Sequence, residues 1–285
     1  MNRTLIAGLM VSLAFAAEAG TTIDAGHPYV YGANTGWINA RSDVTNGAVI
    51  GRDYCSGWLW GANIGWVSLG DGAPLNHYAY ANTENTDFGV NHDGAGRLRG
   101  YAWSSSAGWI VFEDRGNPHV DLSNGNLSGW LWGANIGWIS LSNAQAFVRT
   151  GRVDPGPDTD GDGIPDPWEY RYLETTTTLA GGGADFDGDG VSDIEEYGMD
   201  TDPANSNDLL WVTLDEAGGV TNTLSWTTKP TRHYRLQFVV SLTGAWENAD
   251  SGVLSDETGV ITVADVPVTN SPARFYRVNA ILPLN

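Results

Sequence analysis

Hydrophobic residues alternate with polar or small residues in short stretches of the chain, and residues 26–143 contain no stretch with helical periodicity. In segment 58–60, Trp, Leu and Trp follow one another, so the two aromatic residues lie on the same face of a strand. The same two-residue spacing of aromatic residues recurs at 101–103 and 130–132. The pattern predicts a mainly β protein.

Residues 26–143 contain a fourfold repeat. Each copy has an aromatic residue, a stretch of Gly, Ala, Asn, Thr, Ile or Ser, and then Gly-Trp followed by Ile or Val. The copies are 31–38, 60–67, 103–110 and 132–139. Gly and Asn tolerate the positive φ that a hairpin turn requires, so each copy predicts strand, turn and strand. Because one copy cannot bury its apolar face alone, we expect the four to form a small closed barrel or a propeller-like ring over residues 20–150.

The repeat is similar to Trp-rich repeats with the pattern G-[YW]-x-W-x-x-N-x-G-W-I in exported bacterial proteins. This resemblance covers about 120 residues and implies a repeat domain without indicating an activity.

The C-terminal part of the chain, residues 209–285, shows a clearer alternation. The alternating segments are 209–214, 223–226, 233–240, 260–263 and 274–278, separated by turn residues such as Gly218-Gly219 and Lys229-Pro230. Short strands at this spacing predict a β-sandwich of the immunoglobulin or fibronectin type III kind. Segments 234–237 and 275–278, with Trp246, also resemble the C-terminal module of many secreted bacterial proteins, which implies an accessory or attachment role.

An acidic region, residues 151–208, separates these two parts. Between Asp154 and Asp208 there are sixteen Asp or Glu residues and one basic residue, Arg171, in a chain whose formal net charge is −20. Carboxylates at this density repel one another unless a cation lies among them.

The acidic region contains two loops with the spacing of a calcium site, Asp158 to Glu169 and Asp185 to Glu196. Each has side-chain oxygens at positions 1, 3, 5, 9 and 12 and Gly at position 6. Calcium takes six to eight oxygen ligands and a 12-residue loop can supply them, whereas magnesium prefers fewer protein ligands. We therefore expect two calcium ions. In each loop the residue at position 7, Ile164 or Val191, is predicted to bind through its backbone carbonyl. The full set of predicted ligands is Asp158, Asp160, Asp162, Ile164, Asp166, Glu169, Asp185, Asp187, Asp189, Val191, Asp193 and Glu196.

A helix before the first loop is excluded by Pro155 and Pro157, while helices are predicted after the loops, near 168–173 and 194–197. A loop with only an exit helix resembles thrombospondin type 3 repeats and dockerins, and segment 198–203 is similar to the thrombospondin type 3 spacer. The resemblance implies that residues 151–208 are a spacer that calcium stiffens.

The N-terminus has the features of a signal peptide. Arg3 precedes an apolar stretch over 5–17, and Ala17-Glu18-Ala19 fits a cleavage site, so residues 1–19 are predicted to be removed. The protein is then secreted, extracellular or at the cell surface, with no membrane span. The acidic balance, with Lys229 as the one lysine, excludes a nucleic-acid binder that works by neutralising phosphates.

Catalytic motifs are absent from the sequence. No Gly-x-Ser-x-Gly, P-loop or His-Glu-x-x-His pattern is present, and none of the five histidines has metal-ligand spacing. The nearest acid–base pair, His92-Asp93, lies in a predicted turn and is interpreted as solvated. Cys55, the one cysteine, has no intramolecular disulfide partner and is predicted to be a small buried residue. We expect no enzymatic activity, and a secreted hydrolase is the weakest hypothesis.

Two functions remain. The first is a structural or adhesive protein outside the cell, with self-association at the cell surface as one role open to it. The alternative is a carbohydrate-binding protein in which exposed tryptophans stack on sugar rings. Its predicted platform is Trp58, Trp60, Trp103, Trp130 and Trp132. Since equivalent aromatic residues in every repeat are typical of core packing, we expect most of them to be buried and only some to be exposed.

Overall fold

The computed structural model describes residues 20–181, 183–217, 221–256, 258–267 and 275–285. The predicted signal peptide, residues 1–19, and the predicted turn at Gly218-Gly219 lie outside these ranges. The described residues form two compact units. We call residues 20–161, 165–178 and 283–285 the barrel unit, and residues 162–164 and 179–282 the C-terminal unit. The fold is mainly β.

The barrel unit contains fourteen of the described strands and helix α1 (Asp166–Leu173). The strands are β1 (Ile23–Gly32), β2 (Gly36–Asn39), β3 (Val49–Ile50), β4 (Cys55–Ser56), β5 (Trp58–Gly61), β6 (Gly65–Ser68), β7 (Val90–His92), β8 (Leu98–Ser104), β9 (Gly108–Phe112), β10 (His119–Val120), β11 (Leu127–Ser128), β12 (Trp130–Gly133), β13 (Gly137–Ser140) and β14 (Val148–Thr150). Each sequence repeat is an antiparallel hairpin: β1–β2, β5–β6, β8–β9 and β12–β13.

These eight hairpin strands form a closed antiparallel barrel. Each hairpin pairs with the next in chain order, and the last strand returns to the first, with Tyr31 opposite Ser140 and Gly32 opposite Ile139. Closure leaves no unpaired edge among the eight strands. Of the two expected arrangements, the small barrel is confirmed and the propeller-like ring is wrong.

The barrel interior is filled by aliphatic side chains that alternate with the aromatic residues along each strand. These inward residues are Val30, Ile38, Leu59, Val67, Ala102, Ile110, Leu131 and Ile139, each 9% exposed or less. The interior of an eight-stranded barrel is just wide enough for side chains to fill it. Aliphatic residues therefore form the core, and the larger indole rings lie outside.

One end of the barrel is closed by the fifth residue of each repeat, counted from its first aromatic residue. These residues are Thr35, Ile64, Ala107 and Ile136, all buried. In the first, second and fourth hairpins the second residue is Gly, and a Cβ at Gly61 would lie 2.9 Å from Ile64 Cγ1. In the third hairpin the fifth residue is the small Ala107, and the second residue is Ser104. The two positions are therefore coupled by the space they share.

A ring of hydrogen bonds joins the four hairpin loops at this end. Each loop donates one side-chain hydrogen bond to the backbone carbonyl of the fifth residue in the preceding hairpin. The four bonds are Asn63 Nδ2 to Thr35 O (3.0 Å), Ser104 Oγ to Ile64 O (2.9 Å), Asn135 Nδ2 to Ala107 O (3.1 Å) and Asn34 Nδ2 to Ile136 O (3.1 Å). The third hairpin has Ser106 where the others have Asn, and Ser104 supplies its bond instead.

The C-terminal unit contains helix α2 (Asp193–Met199) and two three-stranded antiparallel sheets. The strands are β15 (Val212–Ala217), β16 (Thr221–Thr227), β17 (His233–Val239), β18 (Glu247–Ser255), β19 (Val260–Pro267) and β20 (Phe275–Ile281). The sheets have the orders β15-β16-β19 and β18-β17-β20. Strand β18 is absent from the sequence prediction, because its polar residues give no alternation and it pairs with β17 alone.

Buried side chains from both sheets belong to one hydrophobic cluster. Leu224 and Trp226 come from β16, while Leu236 and Val278 come from β17 and β20. Met199, at the end of α2, packs in the same cluster. Neither helix of the described residues has the length and hydrophobicity of a transmembrane helix.

The coupling between the second and fifth residues of a hairpin is testable. Gly61→Ser is expected to destabilise the barrel by about 1–3 kcal/mol because the new side chain meets Ile64. Ile64→Ala is expected to cost about 2–5 kcal/mol because it leaves a cavity. The double variant reproduces the Ser104–Ala107 pair, so it is expected to lose less stability than the sum of the single variants. Denaturant unfolding of the four proteins measures this, and additive losses would contradict the coupling.

Candidate metal centre and outer aromatic belt

The two acidic loops each gather three carboxylates. One oxygen from each of Asp185, Asp187 and Asp189 lies within 4.8 Å of the other two, and Asp158, Asp160 and Asp162 are grouped in the same way. These six residues are positions 1, 3 and 5 of the predicted calcium loops. Because exposed acidic groups are common without a metal, the residues at positions 7, 9 and 12 are the more informative ones.

The turns of the second loop are held by its own carboxylates. Asp185 accepts hydrogen bonds from the backbone N–H groups of Gly188 (2.7 Å) and Gly190 (2.9 Å). Asp189 accepts from Val191 N–H at 2.7 Å. In Asp187 and Asp189 the second oxygen, Oδ2, is buried and has no hydrogen-bond partner among the described residues. Two buried acceptors are thus available to a ligand.

Glu196, at position 12, is the most informative residue of the second loop. It lies in α2 and its side chain is 0% exposed. Its Oε1 accepts a hydrogen bond from Thr201 Oγ1 at 3.2 Å, while Oε2 is buried and has no partner in the described part of the chain. Burial, followed by the charges of Asp187, Asp189 and Asp193, raises the Glu196 pKa to about 8. A carboxyl group in such surroundings is either protonated or paired with a cation.

Asp193, at position 9, begins α2 and closes the loop against its start. It accepts a hydrogen bond from Phe186 N–H at 2.8 Å and is 1% exposed. The helix has a capping box, in which Ser192 and Glu195 satisfy each other's backbone groups. Glu195 is thereby used by the helix, and the adjacent Glu196 is left for the loop.

The first loop has the same local hydrogen bonds as the second. In the first loop, backbone N–H groups donate from Gly161 to Asp158 Oδ1, from Thr159 to Asp166 Oδ1 and from Ile164 to Asp162 Oδ1, each at 2.8 Å. The equivalent bonds of the second loop are Gly188 N to Asp185 Oδ1 (2.7 Å), Phe186 N to Asp193 Oδ1 (2.8 Å) and Val191 N to Asp189 Oδ1 (2.7 Å). Asp166 and Glu169 are buried, as Asp193 and Glu196 are. Ile164, at position 7, is also buried, and Val191 is partly buried in the C-terminal cluster.

The position of the helices agrees with the sequence prediction. Both begin at position 9 of a loop, and none of the described residues immediately before the loops is helical. Within the C-terminal unit, the backbone N–H of Gly181 donates to Asp162 Oδ2 (2.7 Å), and that of Ala180 donates to Asp193 Oδ2 (3.4 Å). The adjacent residues Ala180 and Gly181 therefore contact one predicted ligand in the second loop and one in the first loop, respectively.

The aromatic residues of the repeats form a belt on the outside of the barrel. The outer aromatic belt consists of Tyr29, Tyr31, Trp37, Trp58, Trp60, Trp66, Tyr101, Trp103, Trp109, Trp130, Trp132 and Trp138. Eleven of these twelve are 37–50% exposed, and Trp132 is partly buried. The expectation that most of them form the core is wrong, because the inward positions of the same strands hold the aliphatic residues.

Within the belt, each hairpin carries one pair of aromatic residues that lie directly opposite each other in the strand register. The pairs and their ring-centroid distances are Tyr31–Trp37 (5.0 Å), Trp60–Trp66 (4.9 Å), Trp103–Trp109 (4.7 Å) and Trp132–Trp138 (5.0 Å), with interplanar angles of 57–60°. Such pairs stabilise a hairpin by roughly 0.2–1 kcal/mol. The predicted glycan platform contained only residues before the turns of the second, third and fourth hairpins, and it omitted Trp37, Trp66, Trp109 and Trp138, which follow the turns. Each of these tryptophans is followed by an inward Ile or Val, so the two-residue alternation could have placed it on the outer face.

Two other candidate residues are buried in the barrel unit. Cys55 is 1% exposed, as predicted, and burial raises its thiol pKa to about 12. His92 is 3% exposed, with Nδ1 at 2.7 Å from Gly51 O and Nε2 accepting from Gly96 N–H at 3.0 Å. His92 is therefore a buried neutral residue, and its interpretation as a solvated turn residue is wrong.

No protein-family model, no curated protein and no solved structure matches this chain.

The burial of His92 predicts that acid destabilises the barrel unit. Burial lowers the His92 pKa below its usual 6.5, as does Arg52, against the opposing effects of the Gly51 carbonyl and Asp93. Below about pH 6.5 the unfolded chain then binds a proton that the folded chain does not, so the free energy of unfolding decreases as the pH falls. The decrease approaches about 1.4 kcal/mol per pH unit.

This dependence is measured by denaturant unfolding between about pH 5 and 8. His92→Gln is expected to remove that part of the slope, whereas the control His119→Gln, at a partly exposed position of the same unit, is expected to keep it. An unchanged slope in His92→Gln would contradict the assignment.

Proposed function

We propose that this protein is a secreted, calcium-binding protein without enzymatic activity that has a structural or adhesive role outside the cell. The observation that carries the calcium proposal is Glu196, a fully buried carboxylate whose Oε2 has no hydrogen-bond partner among the described residues. It lies among the charges of Asp187, Asp189 and Asp193, three further predicted ligands. A cation there converts mutual repulsion into coordination.

Calcium fits this donor set better than other common cations do. All side-chain ligands are hard oxygens, and each loop can supply six or more of them, as calcium prefers. No described Cys or His belongs to the grouped carboxylates, which argues against zinc. The shared spacing supports the inference that the loops belong to the thrombospondin type 3 and dockerin class of calcium loops.

Calcium binding would act on folding. Because the unfolded chain cannot hold the ligands together, any cation bound by the folded loops stabilises the folded state. At a calcium concentration about 100-fold above Kd, each site adds about 2.7 kcal/mol. Extracellular modules commonly bind calcium at about 10⁻⁴–10⁻³ M, which suits a site that stays loaded outside the cell. We therefore propose that calcium orders residues 158–196.

We further propose that the two sheets of the C-terminal unit form a β-sandwich. The shared cluster of Leu224, Trp226, Leu236 and Val278 supports this, because facing sheets bury their inward residues against each other. Such a module suits attachment.

The second candidate function is carbohydrate binding by the outer aromatic belt. The observation that favours it is the exposure of the belt, with Trp130 at 50% and Trp58 at 42%. Of the predicted platform, Trp58, Trp60, Trp103 and Trp130 are exposed, and Trp132 is partly exposed. Monomeric proteins seldom expose a large contiguous apolar patch without a binding role.

The calcium proposal is tested by titration calorimetry of the purified protein after chelator treatment. Two calcium ions are expected to bind per chain, and Glu196→Gln is expected to reduce binding to one ion. The matched control is Glu195→Gln, which removes the same charge from the adjacent residue and keeps a capping-box residue. Absence of calcium binding by the unmodified protein, or equal loss in both variants, would contradict the proposed site.

Removal of calcium is expected to expose the acidic region to protease. In chelator, cleavage within residues 158–196 is expected to be at least about tenfold faster than in millimolar calcium, because local opening no longer has to release the ion. Glu196→Gln should be cleaved rapidly in both conditions near its own loop. Equal cleavage of the unmodified protein with and without calcium would show that the ion does not order the segment.

A further inference from the structure

The belt contains a groove where the last hairpin meets the first. Across the outer face, Tyr31 lies opposite Trp37 on one side and Ser140 on the other, and Ser140 lies opposite Trp130. The small side chain of Ser140 therefore lies between Tyr31 on one neighbouring strand and Trp130 on the other. Ser140 lines the groove and is 3% exposed, so it lies at the bottom of the groove beneath the aromatic rings.

The groove has a volume of about 870 Å³. This is within the usual range for small-molecule sites, roughly 300–1,000 Å³. Its main lining residues are Trp37, Trp130, Trp132, Trp138, Asn143 and Gln145. Four indoles from two hairpins thus form its sides, and two amide side chains lie beside them.

The amide side chains come from the segment between β13 and β14. Asn143 Oδ1 accepts hydrogen bonds from the backbone N–H groups of Gln145 (2.9 Å) and Ala146 (3.0 Å). These bonds fix the Asn143 side chain, and its Nδ2 donates no hydrogen bond within the described part of the chain. Gln145 is exposed, and its side-chain amide likewise has no partner among the described residues. The groove therefore combines rigid aromatic faces with unused amide groups.

The charge of the groove selects among ligands. The chain has a net charge of −20, yet no lining residue of this groove is charged. An anionic ligand finds no basic side chain there and is repelled by the protein as a whole. A cationic ligand finds no carboxylate there and has only the aromatic faces to bind. A neutral ligand needs no charged partner, and the lining suits it best.

The side chains also select for sugar chemistry. The C–H groups on one face of a sugar ring carry a small positive charge and are attracted to the negative face of an aromatic ring. The hydroxyl groups at the edge of the ring need donors and acceptors, which the amides of Asn143 and Gln145 provide. Aliphatic residues of these strands, such as Ile139 and Leu131, point into the barrel and are not available to a protein partner.

We propose that this groove binds a neutral polysaccharide chain, with sugar rings stacked on Trp130 and Trp37 and hydroxyl groups bound by Asn143 and Gln145. The proposal rests on the carbohydrate-binding function proposed above and assigns it to one of the four junctions between hairpins. The corresponding part of the third hairpin is covered differently, since Phe88 packs edge-on against Trp109 at 5.0 Å.

The repeat provides a matched control. Trp58 occupies in the second hairpin the position that Trp130 occupies in the fourth, two residues before the first aromatic residue of the pair. Trp58 is 42% exposed and lies on another junction of the same barrel. Trp130→Ala and Trp58→Ala therefore remove the same group from equivalent sites, and only the first changes the groove.

The experiment is affinity electrophoresis of the purified protein in gels containing xylan, mixed-linkage β-glucan, galactomannan or hydroxyethyl cellulose, with alginate as an anionic contrast. Calorimetry then gives Kd for the polysaccharide that retards the protein most. Trp130→Ala, and separately the double variant Asn143→Ala/Gln145→Ala, are expected to weaken binding at least about tenfold. Trp58→Ala is expected to change Kd less than about twofold. Melting curves identify any variant that fails to fold, and the surface double variant then decides the test.

The outcomes separate the two proposals. Retardation by a neutral polysaccharide that is lost in Trp130→Ala and kept in Trp58→Ala supports the groove. Retardation that Trp58→Ala weakens equally, or that the Asn143 and Gln145 substitutions leave unchanged, overturns the groove and leaves carbohydrate binding by the belt in place. Retardation by alginate alone overturns the groove as a site for a neutral chain and leaves carbohydrate binding by the belt in place, whereas no retardation by any of the polysaccharides overturns both proposals. In that last case a protein partner becomes the favoured occupant of the belt.

Discussion

The two-residue period of a β-strand is the constraint on which the N-terminal structure depends. It sends Leu131 and Ile139 into the barrel and Trp130 and Trp138 out of it, from strands of four residues each. With strands this short, the interior has room for one or two aliphatic layers. Every hairpin therefore presents its aromatic residues to solvent, and closure of the barrel arranges them in a continuous belt.

The acidic loops obey a different constraint, the cost of burying charge. Glu196 is fixed on one side by helix α2, whose end is itself held by Arg232, which donates to the carbonyl groups of Gly198 and Tyr197. With its backbone fixed in this way, the Glu196 carboxyl group stays 0% exposed in the folded loop. The repulsion from Asp187 and Asp189 can then be relieved by protonation or by a cation.

Much of this organisation could be predicted from the sequence. The repeats show their hairpins because turn glycines such as Gly36, with φ of 71°, occur between alternating residues at fixed spacing. The acidic residues of each predicted calcium loop are local in sequence, so their spacing was enough to predict that positions 1, 3 and 5 come together, as they do. Whether the tryptophans lie inside or outside the barrel could not be predicted from neighbouring residues, because it depends on the width of the closed barrel. Strand β18 and the burial of His92 depend equally on contacts between distant segments, here with β17 and with Gly51.

The two candidate sites share a thermodynamic feature that argues for ligands at both. Exposed indoles such as Trp130 forgo the stabilisation of burial, roughly 25 cal/mol for each Å² of apolar surface left in water. The buried Glu196 carboxylate imposes a desolvation cost without a hydrogen bond to its Oε2 in return. Proteins depart from local consistency in this way mainly at functional sites. A bound saccharide would cover the first group and a bound calcium ion would neutralise the second, so each ligand supplies the interaction that the folded chain lacks.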